Sequence, residues 1–528
     1  MFCATQHKQS IIRIVLASLI VFASGQAVAA QAAEALKIVP GNYLDAPEAW
    51  AKAPAPADAV KLSASPGEYE PLAFALSATQ AMTAVKVEAG PLNGPQTIPA
   101  SALLIRIVTE QWDKNDHAIL KDAEPADLAA GSNKAYWLTV HVPKDAKPGV
   151  YKGELKAKGA DGPAAALALE LTVHPIDLPE APVALGFNYS RPKNPADMEA
   201  HLKDMREHGM TTVAPLYGFH LPDFDEDVSQ FGEFTAGYKK MGFPGTLYWG
   251  ATMGLEPALS GYGAIETARF RQKFKTSMRA IYQEVKKQGV PAIFSVSDEL
   301  TNRGLPGVEF GERLTRYCYE QMPEIPITAD SNGYQEVIRT AKYVNCSTFN
   351  NGWDGADHHN GGKHLLNKSV IEEVKATGSI PWFVNAQSGR FSFGFFFWKM
   401  SKLGVKGKVE WYWNLGNNDK GSVVFLDGAK IFPTLIYERS GKGVDDIRYL
   451  TALENLLAKA EGKPAAQAAA EKARGFLKHL DESVADDWNH YADGGNWWPS
   501  EQYDKARAKA VESILELQAA LKRSDRAP

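Results

Sequence analysis

Cysteine is nearly absent from this chain of 528 residues: Cys3 lies in the N-terminal apolar stretch, which leaves only Cys318 and Cys346. Such a pair excludes a disulfide scaffold and has no metal-ligand spacing, so no metal is expected. The two read as buried free thiols, with a single bridge between them as the alternative. Positive charge is not in excess either. The net charge of -5 leaves no basic footprint, so a nucleic-acid partner is not expected. Beyond the N-terminus no apolar run is long enough to cross a bilayer, so stable membrane insertion is not expected. No Gly-rich phosphate loop opens the α/β region and no G-x-S-x-G elbow occurs, which argues against dinucleotide binding and against a Ser triad. His358-His359 lies in a Gly/Asn/Asp-rich loop and reads as solvated. No cofactor is expected.

What is present is an ordinary globular composition, 45% hydrophobic and 23% charged, with 12 Trp. Lys8 and Arg13, the apolar run Ile11–Ala23 and the small-x-small site Ala27-Val-Ala29 form a secretory signal over 1–29, with an uncleaved anchor as the alternative. The mature chain is therefore expected to be exported, periplasmic or secreted.

The remaining chain suggests a multidomain α/β protein. Residues 35–180 carry short alternating runs, among them Pro71–Leu76, Leu103–Val108, Tyr136–Val142 and Ala166–Val173. Turns rich in Pro, Gly and Asp separate them, which is the pattern of a β-sandwich. From 183 to 435 strand-like and helix-like segments alternate. Eight strands are expected: Ala184–Ser190, Thr211–Tyr217, Gly245–Trp249, Pro291–Asp298, Ile325–Asp330, Cys346–Asn350, Ile380–Gln387 and Lys408–Asn414. By number, order and length they suggest a (β/α)8 TIM barrel, with an open doubly wound sheet as the alternative. Residues 440–525 read as a helical appendage of Ala-rich amphipathic segments, interrupted by Trp488, Trp497 and Trp498, which suit packing better than ligand binding.

Catalytic groups of such barrels sit at the C-terminal ends of the strands. Those ends supply Tyr217, Trp249, the pair Asp298-Glu299, Asp330, Asn350, Arg390, Trp411 and Trp413. Aromatic faces, amides, an Arg and a carboxylate pair make a plausible sugar pocket, although each residue taken singly suits core packing or capping equally well. Alternation puts Ile293, Ser295, Ser297 and Glu299 on one strand face, so Glu299 is expected to point into the barrel mouth. Asp298 joins it only if the chain is already turning.

Ordinary retaining glycosidases use two carboxylates about 5 Å apart. Here the seventh strand ends in Asn385, Ala386 and Gln387, without an acid. Adjacent carboxylates cannot readily flank one glycosidic bond. A 2-acetamido group on the substrate can replace the missing nucleophile, forming an oxazoline, with Glu299 as general acid/base and Asp298 orienting the amide N–H. Two other readings stay open: a glycosidase on another sugar with Asp330 or Glu410 as second acid, and a non-catalytic carbohydrate-binding protein.

These features together resemble glycoside hydrolase family 123. The layout of signal, sandwich, barrel and helical tail is similar. So are the Val142–Gly153 segment, Ser297-Asp298-Glu299 at the fourth strand, Gly404–Gly407 leading to Glu410-Trp411, and Gly443–Leu450. The resemblance implies a retaining β-N-acetylgalactosaminidase with a glycan substrate, using the Glu as acid/base and the Asp to hold the acetamido group; action on a terminal sugar is the leading expectation, and the sequence does not settle exo against endo. One departure stands out: relatives often carry Pro after the acid pair, where this chain has Leu300. The sequence sets neither the sugar's stereochemistry nor an oligomeric state.

Overall fold

A computed structural model describes residues 35–52, 59–111, 118–160, 164–217, 227–250, 267–352, 364–414, 416, 418, 421–428, 430–492 and 494–524. The expected signal segment, Trp353 and His358-His359 lie outside the described residues, as does the side chain of Tyr217. The chain divides into two compact units: residues up to Thr109 with Leu120–Pro175, and Glu110–Ile119 with Ile176 onward.

In the first unit, one sheet runs in the order Leu36–Gly41, Tyr69–Ala78, Asn133–His141, Leu103–Gln111, Ala118–Asp122. The second runs Val60–Ala64, Ala164–Val173, Gly149–Lys158, Met82–Ala89, Ala126–Leu128, with a short hairpin at its side. Period-2 patterning explains both. Along Ala164–Val173 Leu167, Leu169, Leu171 and Val173 are buried while Ala166 and Ala168, at alternate positions, are exposed. Inward residues of the two sheets, such as Phe74, Tyr136 and Leu138 on one and Val85, Leu155 and Leu169 on the other, share one core. The expected β-sandwich is present.

The second unit holds eight parallel strands: β1 (Ala184–Ser190), β2 (Ala214–Tyr217), β3 (Leu247–Trp249), β4 (Ala292–Asp298), β5 (Ile327–Ser331), β6 (Cys346–Phe349), β7 (Ile380–Val384) and β8 (Gly407–Glu410). Ladders run β2-β1-β8-β7-β6-β5-β4-β3. The remaining gap between β2 and β3 is crossed by single backbone bonds, Gly245 N–H to Thr211 O at 2.8 Å and Gly250 N–H to Pro215 O at 3.0 Å. The barrel is thus nearly closed, as expected, though most strands are shorter than the sequence suggested. A cluster of Ala184, Ala214, Tyr248, Ile293, Cys346, Trp382 and Val409, one residue from each of seven strands, fills its interior. This cluster fixes which face of each strand points inward.

Helices α1 (Pro195–Glu207), α2 (Ser229–Lys240), α3 (Ala268–Lys287), α4 (Gly304–Gln321), α5 (Tyr334–Thr340) and α6 (Lys368–Ala376) follow the first six strands in turn. Two helices, α7 (Arg390–Phe393) and α8 (Phe395–Leu403), follow β7. Asn194, Thr267 and Asn367 cap α1, α3 and α6 by accepting backbone N–H bonds, as short polar side chains do at helix starts. The tail is α9 (Leu435–Ala460), α10 (Gln467–Ser483), a turn α11 (Asn489–Ala492) and α12 (Ser500–Ser524). Trp488, Trp497 and Trp498 pack against Phe396, Phe391 and Phe395 of the helices after β7. Both Cys318 and Cys346 are buried free thiols.

Candidate active site

The geometry of the site is set where β4 ends. Its ladder with β5 is regular at Ser295↔Thr328, then shifts, so that Asp298 rather than Ser297 comes opposite Asp330. One extra residue in β4 is a β-bulge, and bulges re-aim side chains at barrel rims. Thr328 bonds Thr348 at 2.7 Å and Asp330 accepts from Tyr248, so that face of β5 points inward. Residues in register on parallel neighbours share a face, so the bulge turns Asp298 inward too. The next residue, Glu299, adopts left-handed backbone angles of φ 46° and ψ 45°. That conformation is uncommon for a residue with a side chain and marks a constrained turn. Both acids therefore reach one side of the barrel, by a bulge and a turn rather than by alternation.

Several contacts hold the turn. The N–H of Glu299 donates to the carbonyl oxygen of Asp330 at 2.7 Å. Its carboxylate accepts from Asn350 Nδ2 at 2.6 Å and from Asn302 Nδ2 at 3.2 Å. Asn350 cannot turn its amide around without loss, because its Oδ1 accepts the Gly352 N–H at 2.8 Å. Asn302 is in turn bonded by Asn332 Nδ2 at 2.7 Å. Asn350 is thus a neighbour of the acid as well as a rim residue.

Asp330 is buried. Burial first, and then the charge of Asp298 beside it, push its carboxyl well above the usual carboxylate range, against the opposing hydrogen bonds from Tyr248 and Ser295. A carboxyl kept neutral in this way is a poor nucleophile. The expectation did not include Tyr248, and alternation could have found it: the neighbour of an outward Trp249 on a short strand must face inward.

The remaining expected residues divide. Trp411 is 39% exposed just beyond β8. Trp249 is buried among Phe231, Phe234 and Phe294, on the helix-facing side of the sheet. Trp413 is fully buried, its Nε1 donating to Tyr437 Oη at 3.2 Å and to Asp204 Oδ2 at 3.3 Å. Arg390 is buried as well, with its Nε 2.8 Å from Asp446 and its Nη1 2.5 Å from Asp504. Those three side chains have no surface to offer a sugar, because strand ends in a small barrel also carry outward residues that helices cover. Tyr217 ends β2, and its side chain lies outside the described residues.

Glu410 also faces outward, since Val409 lines the interior. It is salt-bridged by the buried Lys408 at 3.3 Å. Lys408 donates to the carbonyls of Ala386 at 3.1 Å and Gln387 at 2.6 Å. It thereby ties down the loop in which Asn385 and Gln387 both have positive φ. This pair supports the seventh-strand loop and supplies no acid to the mouth. A cavity of 610 Å³ bounded by Val183, Gly245, Ala292, Pro326 and Trp382 lies at the opposite, N-terminal strand ends.

No family model matches the sequence. No curated protein matches it. Among solved structures, the chain resembles a family 123 glycoside hydrolase from Clostridium perfringens, studied for glycolipid glycan hydrolysis. The TM-score is 0.61 at 11% identity, over 93% of this chain and 99% of that one. The protein therefore shares that fold. Looser likenesses are to a family 39 glycoside hydrolase from Bacteroides cellulosilyticus WH2, with TM-score 0.35 and 12% identity over 64% of this chain and 77% of that one. A β-D-glucuronidase from Dictyoglomus thermophilum gives TM-score 0.34 and 12% identity over 78% and 69%. These two add nothing to the fold assignment.

Proposed function

We propose that the protein is a retaining exo-glycosidase that removes a terminal β-linked N-acetylhexosamine, with N-acetylgalactosamine the first candidate, by substrate-assisted catalysis. Glu299 gives its proton to the glycosidic oxygen while the carbonyl oxygen of the substrate's acetamido group attacks the anomeric carbon. Asp298 orients and polarises the amide N–H. The resulting oxazoline is opened by a water that Glu299 deprotonates, so configuration is retained. Trp411 offers the sugar an exposed aromatic face.

The observation that carries the reading is the adjacent pair Asp298-Glu299, brought to one side by the β4 bulge and the left-handed turn. The end of β7 carries no acid, and Glu410 faces away from the interior. Two acids on one side can serve one protonation and one amide, but cannot attack a sugar from both faces. Among the described residues Asp330 is the remaining candidate for a second acid; its burial and its bond from Tyr248 make it a support rather than a nucleophile. The likeness to the family 123 structure supports glycosidase chemistry and makes a glycolipid glycan a candidate natural substrate. The N-terminal sequence supports export.

The test is a comparison of aryl β-N-acetylgalactosaminide with the matching β-galactoside, which lacks the acetamido group. Strong preference for the former, with retained configuration in the first product, is expected. Equal rates on both overturn substrate assistance. Binding of N-acetylated glycans without turnover would make the protein a lectin-like barrel instead.

A further inference from the structure

We infer that Glu336 is a positioning residue for the proposed hydrolysis: its carboxylate grips the backbone just after Glu299 and holds the left-handed turn that aims the acid. The inference rests on the reading of Glu299 as acid/base.

Glu336 sits in the first turn of α5 and is completely buried. Its Oε1 accepts the Leu300 N–H at 3.0 Å. Its Oε2 accepts the Thr301 N–H at 3.1 Å and the Thr301 hydroxyl at 2.7 Å. A further backbone bond comes from Asn332. Leu300 and Thr301 begin the 3-10 turn Leu300–Arg303, whose first N–H groups have no partners within the turn. Glu336 is therefore a cap supplied by another element. With the two N–H groups after Glu299 fixed and its own N–H on Asp330, the peptide planes on both sides of Glu299 are held. A residue with a side chain stays left-handed only when its surroundings over-determine it.

Two glycines allow this clamp. A Cβ on Gly333, the residue before α5, would lie 2.2 Å from Thr301 Oγ1. A Cβ on Gly307 would lie 2.2 Å from the Leu300 carbonyl oxygen. The turn is thus pressed between α4 and the start of α5. The clamp also gives a physical role to Leu300. Proline has no N–H, so a proline here would remove one of the donors that Glu336 binds.

The experiment compares Glu336→Gln with the wild type on two aryl β-N-acetylgalactosaminides, a phenyl glycoside whose departure needs acid help and a 2,4-dinitrophenyl glycoside whose departure does not. A misaimed acid is expected to lower kcat/KM, which reports the cleavage step alone, by about a hundredfold on the phenyl glycoside and by only about threefold on the dinitrophenyl glycoside. Glu336→Asp, which keeps the acceptor charge, should recover part of the loss. Equal losses on both substrates, or none on either, overturn the inference. Should the Gln variant fail to fold, Thr301→Val, which removes a single donor, must give the same leaving-group pattern at smaller size, and a flat pattern overturns it. Should the wild type cleave no glycoside, the functional reading has failed. The crystal structure of the variant then decides for Glu336: Glu299 still at positive φ with Asn350 on its carboxylate overturns the inference.

Discussion

The backbone N–H of Glu299 donates to the carbonyl oxygen of Asp330 at 2.7 Å, so the acid at the end of β4 is tied to β5 rather than carried on a loop. Sites built on strands hold their geometry better than sites on loops. Here the tie fixes the backbone of Glu299 against the neighbouring strand.

The first prediction concerns that pair. Glu299→Gln should lose on the order of a thousandfold in kcat on a substrate with a poor leaving group, the usual size of a general-acid contribution. Asp298→Asn should lose comparably, because an amide neither aims nor polarises the acetamido N–H as a carboxylate does. Initial-rate kinetics on both variants check this. Wild-type rates in both would move the chemistry elsewhere.

Among the described expected aromatic residues, Trp411 is exposed, at 39%. Trp411→Ala should raise KM by about tenfold with kcat nearly unchanged, since stacking on a ring is made equally in the bound and the transition state. A fall in kcat alone would instead place Trp411 against the reacting sugar.

Arg390 separates a structural role from a binding one. Its guanidinium is shared between Asp446 and Asp504, and Asp446 is also bonded by Arg507 Nε at 2.7 Å. These pairs join the helix after β7 to α9 and α12. Asp446→Ala leaves two buried arginines without this partner and should cost about 3 kcal/mol or more, read as a lower Tm and an earlier denaturant midpoint. Arg390→Met should likewise lower Tm while the folded fraction keeps its KM. A raised KM at unchanged Tm would return Arg390 to the sugar site.

His208 supplies a pH dependence. It lies between Asp204, 3.6 Å away, and Glu438, 3.7 Å away. Burial by itself lowers its pKa, but the two acids outweigh burial and bring it up to about 9. The folded protein therefore binds a proton that the unfolded chain releases near its ordinary pKa of about 6.5. The stabilisation is complete below that value and is lost as pH rises toward 9, at up to about 1.4 kcal/mol per pH unit. Urea midpoints from pH 6 to 9.5 should fall in the wild type and fall less in His208→Gln. Parallel curves would show that His208 is neutral in the folded state.

The sequence by itself determined the architecture. Hydrophobic period is a local property, and it switches from two to alternating two and 3.6 near residue 183, which separates sandwich from barrel. Ala184–Ser190 matches its expected strand end to end. Asp298 and Glu299 were legible because they end the fourth strand while the seventh ends in amides. The exposed Trp411 and the rim Asn350 were legible for the same reason.

Only the tertiary structure decided where side chains aim. Trp249, Trp413 and Arg390 lie near strand ends as expected, yet pack outward beneath helices, because which face is inner depends on register with neighbouring strands. The roles of Tyr248 and Glu336 were hidden for the converse reason, although alternation could have placed Tyr248 inward: each matters through a partner, 82 residues away for Tyr248 and 36 for Glu336. The decisive case is the acid pair itself. Alternation along β4 points Glu299 inward and Asp298 outward; the bulge reverses this for Asp298, and the left-handed turn then keeps Glu299 on the same side. A bulge costs one unpaired residue and a strained turn costs backbone energy, so neither arises from local preference. Both persist because β5, β6 and the start of α5 supply the hydrogen bonds that hold them.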